Sequence, residues 1–148
     1  TALDHRNDEK RELSPTGRRQ ARKLGRFLQK SGVSFGAAYS SPLIRARQTS
    51  EILLGITNDN PPIELNFAGA MLNATTVDDF NDWLTQLGDG DILLVGHEPS
   101  LSERICSLLR ISDTTTFEMK KGACACLRTT AGGTGILKFL ITPKSLGI

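Results

Sequence analysis

The chain has 148 residues, of which 39% are hydrophobic and 23% charged, and a formal charge of +2. That length suits one domain with its own core, residues 1–148, and the near-neutral balance argues against nucleic acid as a partner. No apolar run approaches the ~20 residues that span a bilayer, and the N-terminal TALDHRNDEKRE is polar where a signal peptide would be apolar, so the expectation is a cytoplasmic protein without a membrane partner.

In chain order, the spacing from Pro15 to Ser31 predicts a helix with Ala21, Leu24, Phe27 and Leu28 on its apolar face. Ser14 is placed to cap it, Pro15 opens its first turn and Gly32 ends it. Arg18, Arg22 and Arg26 recur every four residues on the other side, as a solvated face or as a docking surface for an acidic partner. Ala37 to Ser40 reads as a strand entering the Ser41-Pro42 corner, and a second helix follows through Ile44 and Ser50 to Leu54. After a loop at Asn58 to Pro62, an extended piece is expected around Ile63 to Leu65, then a helix from Val77 to Leu87 through Phe80 and Leu84, with Trp83 beside the stripe.

Asp91 to Val95 is a continuous apolar run after a turn, the pattern of a strand buried on both faces of a parallel sheet. Gly96-His97-Glu98-Pro99 and a helix from Ser100 to Leu109 come next, and Ala123 to Arg128 with Ile136 to Ile141 predict a closing hairpin. Alternating strands and helices indicate an α/β three-layer sandwich with a mostly parallel central sheet flanked by helices. The three cysteines, Cys106, Cys124 and Cys126, match no zinc ligand set, and GACACL reads as strand packing.

Open α/β sheets bind ligands at the carboxyl ends of their strands. Two such ends carry polar groups here, Arg45 after SSPLI and His97 after ILLVG. Arginine offers a planar fork of donors to phosphate oxygens and histidine a second donor. Each residue alone has a plain structural explanation, as helix surface or as loop; together, at two ends of one sheet, they argue for an oxyanion site. Arg47 falls on a different side of its helix, with Glu51 four residues on as a partner.

SSPLIRARQTSEIL and LLVGHEPSLSE closely resemble the histidine phosphatase superfamily, in particular its small SixA-like branch of phosphohistidine phosphatases. Arg11-Glu12-Leu13-Ser14-Pro15-Thr16-Gly17 is similar to that branch's Arg-Pro-Leu-Thr-x-x-Gly, with Glu12 in place of proline and Ser14 in place of threonine. The resemblance runs in order from Ala2 to about Glu103, with weaker echoes at KKGACACLR and FLITP. No cluster of Asp, Glu and His suggests a metal, so catalysis without metal or cofactor is the expectation. The resemblance implies the histidine-phosphatase, phosphoglycerate-mutase-like version of the sandwich and a phosphatase. Arg45 and His97 would be its catalytic phosphate clamps, Arg11 and Ser41 phosphate or substrate contacts, and Glu98 the nearest candidate to protonate a leaving group.

The superfamily is named for an Arg-His-Gly triplet whose histidine is transiently phosphorylated, and this chain contains no such triplet. His5-Arg6 reverses the residue types within a polar run, whereas Thr1 to Asp4 resembles the residues just after the triplet in that branch. The expectation is therefore a natural protein with about ten further residues upstream, one strand's length. Three functions are open on this reading: hydrolysis of phosphohistidine on a protein such as a histidine-containing phosphotransfer domain within a phosphorelay, hydrolysis of a small phosphate ester, or phosphate binding without turnover.

Overall fold

A computed structural model of the chain describes residues 9–130 and 132–148; the His5-Arg6 pair and the Thr1 to Asp4 segment lie outside the described residues. Helix α1 (Pro15–Lys30) begins where Ser14 Oγ accepts the Gly17 N–H at 3.0 Å, and ends at Ser31 before Gly32, whose φ of +80° suits glycine. Strand β1 (Ala37–Ser40) leads to α2 (Ile44–Thr57), β2 (Leu65–Phe67), a 3₁₀ turn at Gly69–Met71, α3 (Val77–Thr85), β3 (Ile92–Val95) and α4 (Ser100–Leu109). The hairpin β4 (Cys124–Thr129) and β5 (Gly135–Ile141) closes the chain.

The sheet has the order β2-β1-β3, all parallel, with Ser40 opposite both Phe67 and Val95. Successive strand residues point to opposite faces, and β1 shows both. Ala38 is fully buried in a core of Leu24, Leu28, Leu53, Leu54 and Leu93, which draws on α1 and α2. Tyr39 turns the other way and meets the Trp83 ring of α3 edge-on, centroids 5.3 Å apart. One layer of helices therefore lies on each face, α1 and α2 on one and α3 with α4 on the other.

Helices α1 and α2 run in the same direction. Leu13 N–H donates to Gln48 Oε1 at 2.7 Å near their starts, and Gly25 faces Ile56 near their ends, where an added Cβ would stand 2.9 Å from Ile56 Cδ1. Gly25 thus takes the buried place expected of Phe27, which is 38% exposed. The second strand is displaced by two residues from the Ile63 to Leu65 expectation, because Leu65, not Ile63, pairs with Ala38. Only Leu93 of β3 is buried, so that strand is less enclosed than its apolar run implied.

The hairpin forms as expected, with a register shift between Cys126 and Leu127. Burial pushes the Cys124 thiol up to about 11 and raises those of Cys126 and Cys106, which keeps all three protonated near neutrality. Among the described residues no helix is long and apolar enough to cross a membrane, and no three His, Cys, Asp or Glu side chains cluster as a metal site needs.

Candidate active site at the switch point of the sheet

Strands β1 and β3 are neighbours, yet the chain leaves β1 for a helix on one face and β3 for a helix on the other. Their carboxyl ends thus form a topological switch point, where doubly wound sheets bind ligands in the crevice between the diverging connections. Ser41 and His97 stand at its two lips. Ser41 N–H continues the ladder to Val95 O at 2.9 Å, so both ends finish level.

The two lips are joined by one contact, His97 Nε2 to Ser41 Oγ at 2.7 Å, with the proton on either atom according to the imidazole tautomer. Ser41 is fully buried, and its Oγ also accepts the Leu43 N–H at 3.2 Å, which sets the entry into α2. Arg45, half-buried, occupies the second position of α2, on the lip that Ser41 anchors. Of the residues expected at the site, Ser41 and His97 therefore meet from two strand ends, and Arg45 stands four residues after Ser41 in the first turn of α2. Ser41→Ala should cost about 1–2 kcal/mol, since it strands a backbone N–H and the imidazole nitrogen; a urea midpoint equal to that of the parent would refute this pairing.

Arg11 is exposed, but its segment is held against α2 by the Leu13 bond to Gln48, one helical turn beyond Arg45. Gln48 Nε2 also reaches Glu12 Oε1 at 3.4 Å. Glu98, the residue expected to be nearest for protonating a leaving group, accepts from Ser102 N–H at 3.1 Å and from Ser102 Oγ at 2.6 Å, in the first turn of α4. Arg47 pairs with Glu51 at 3.3 Å on the exposed side of α2, as its spacing predicts.

Behind His97 stands a support that no motif announces. Asn73, in the loop before α3, donates from Nδ2 to the Glu98 carbonyl at 2.9 Å, while its Oδ1 and its backbone carbonyl accept from Ser100 N–H and Oγ at 3.4 and 3.3 Å. That loop is in turn gripped by Arg104 of α4, whose Nη2 donates to Leu72 O at 2.8 Å and Thr75 O at 3.3 Å. Arg104 is only 2% exposed and its guanidinium lies over the Phe80 ring, 4.6 Å from the centroid. Desolvation lowers its pKa, partly opposed by Glu103. Gly96 is held equally closely, since a Cβ there would meet Met71 Cε at 2.9 Å and Met71 O at 3.1 Å.

A family model described as the histidine phosphatase superfamily (branch 1) matches residues 5–67. A Picosynechococcus sp. protein described as uncharacterized is 33% identical over 104 residues, 68% of this chain and 61% of that protein, so the chain spans about three fifths of that relative. Among solved structures, the protein histidine phosphatase SixA complexed with tungstate superposes with a TM-score of 0.83 at 22% identity, over 94% of this chain and 88% of its own. The alpha-ribazole phosphatase from Shigella flexneri superposes with a TM-score of 0.75 at 18% identity, over 92% and 87%. At these identities the structures share the fold with this chain. The matched histidine phosphatase superfamily model covers the segment that carries Ser41 and Arg45, and in the fold that the chain shares with SixA His97 follows the neighbouring strand.

Proposed function

We propose that the protein is a phosphatase that hydrolyses phosphohistidine on a protein substrate; the transient phosphohistidine enzyme intermediate that the resemblance implies needs a nucleophilic histidine other than His97, which serves as a donor to a phosphate oxygen. The observation that carries this proposal is the joining of the β1 and β3 ends by Ser41 and His97, with Arg45 on the same lip. Charge in phosphoryl transfer spreads over the equatorial oxygens, so catalysis is mostly positioning and electrostatic stabilisation. Arg45 holds two of those oxygens through its planar fork and His97 donates to a third. Ser41 keeps the imidazole fixed before substrate arrives, which avoids reorganisation during the reaction.

The connections at this edge are short among the described residues: Ser41 to Leu43, Ala68 to Thr76 and Gly96 to Pro99. An open edge of that kind admits phosphate carried on a protein surface. Phosphohistidine also has a good leaving group, and a site whose nearest carboxylate caps a helix suits a reaction that needs little acid assistance. A small phosphate ester is the second reading, favoured by the equally extensive fold match to a phosphatase whose name gives alpha-ribazole as its substrate.

The test compares a phosphohistidine-bearing protein with alpha-ribazole phosphate and p-nitrophenyl phosphate, and maps any phosphoryl group left on the enzyme under acid-free conditions. A kcat/KM at least ~10-fold higher for the phosphoprotein, ~1.4 kcal/mol of discrimination, with phosphate trapped on a histidine, is expected. Higher efficiency on either ester moves the assignment to small molecules. Orthophosphate binding without turnover or adduct leaves a phosphate-binding module.

A further inference from the structure

Helix α1 carries six of the chain's 18 cations, Arg18, Arg19, Arg22, Lys23, Arg26 and Lys30, and none of its 16 acids. The other 132 residues, with twelve cations against sixteen acids, are net acidic. The molecule is therefore polarised, with its positive end on one helix. All six except half-buried Arg18 are exposed, and among the described residues none forms an ion pair. Arg19, Arg22, Lys23 and Arg26 line an open groove of about 370 Å³ whose other wall is Gly147 and Ile148.

A merely solvated helix face usually mixes signs, because opposite charges four residues apart support a helix and like charges oppose it. Here Arg18, Arg22 and Arg26, and Arg19 with Lys23, set like charges at those spacings. An acidic surface brought against this face would offset that local cost. The helix that carries this face also begins close to the site. Because α1 starts beside Gln48, one turn from Arg45, and runs parallel to α2, its cations extend from that end for ~18 Å at 1.5 Å per residue.

We propose that the outer face of α1, built by Arg19, Arg22, Lys23 and Arg26, is the docking surface for an acidic face of the phosphoprotein whose phosphohistidine enters the Ser41–His97 crevice. The proposal rests on the phosphohistidine-protein assignment above and adds to it the charge of the partner. Such a surface acts on encounter rate and orientation, so its contribution is screened by salt, whereas a small ester never touches it.

The test uses the full chain, a chemically phosphorylated, net-acidic histidine phosphotransfer domain as fluorescent probe, and two variants. One replaces Arg19, Arg22, Lys23 and Arg26 with glutamine; the other replaces only the three arginines with lysine and keeps the charge. At about 50 mM salt the glutamine variant should bind the probe at least ~10-fold more weakly and show a flatter salt dependence, while the lysine variant follows the parent. Orthophosphate affinity should be the same in all three proteins. Equal probe affinity for parent and glutamine variant overturns the docking surface. So does a stronger dependence of binding to RNA or to anionic phospholipid vesicles on the same four residues. Failure of the parent to bind orthophosphate would instead bring down the phosphatase assignment, and the two failures are read on separate ligands.

Discussion

Arg45→Ala and His97→Ala should each weaken orthophosphate binding by about 10- to 100-fold, the loss of a charge-assisted hydrogen bond, and lower turnover by about 10²–10³-fold, as removal of a preorganised oxyanion donor does. Neither change should unfold the protein, because both side chains are only half-buried and stand at the edge of the sheet. Arg47→Ala is the matched control. It removes the same type of side chain two positions on, from an exposed pair with Glu51 whose partners are 46% and 59% exposed; pairs of that kind contribute about 0–1 kcal/mol. Calorimetric titration with orthophosphate decides the matter, and equal losses from all three variants would show that the crevice holds no phosphate.

The largest effect on stability is expected at Arg104. Replacing it with alanine empties a site that is almost wholly buried and leaves the carbonyls of Leu72 and Thr75 without their donor. Destabilisation of about 3 kcal/mol or more is the expected sum of those two losses. Arg104→Met keeps most of the volume and also removes two buried nitrogens, Nε and Nη1, that have no hydrogen-bond partner among the described residues, so it should cost less than half as much. Urea unfolding of the pair separates packing from polar contact. A freed Leu72–Thr75 loop also loosens Asn73 and, through the Glu98 carbonyl, the mount of His97. Phosphate affinity should therefore fall in both variants, and unchanged affinity in both would show that the support chain does not reach the site.

How much of the molecule is legible in its sequence depends on the kind of signal each residue leaves. The boundaries of β1 and α4 are readable directly from Ala37 to Ser40 and Ser100 to Leu109, because apolar periodicity and a proline at the helix entry speak for themselves. Arg45 and His97 are visible as polar groups at strand ends. The bond that joins His97 to Ser41 on Arg45's lip is not, since it spans 56 positions and depends on strand order, which periodicity does not encode. Phe27 falls on the apolar stripe but is exposed, because Gly25 lets α2 approach so closely that the contact forms around the glycine. Glu98 looks available for chemistry because its partner, the first turn of α4, becomes apparent only when the helix is folded. Arg104 does leave a signal. It stands four residues from both Ser100 and Leu108, on the buried stripe of α4, where a charge demands an internal partner.

The glycine contact between α1 and α2 has a further consequence for how variation in this protein would be interpreted. Gly25 lies twelve residues along the chain from the Leu13 strap, ~18 Å by helix rise, and touches nothing at the crevice. A larger residue there must displace the Ile56 side chain, whose Cδ1 and Cβ an added Cβ would meet at 2.9 and 3.3 Å, and any part of that shift passed to the backbone moves the strap on Gln48 and the cationic face. In a mutational scan scored by function, position 25 would register as a sensitive site with no ligand near it, and among natural relatives it would be held small by distance alone.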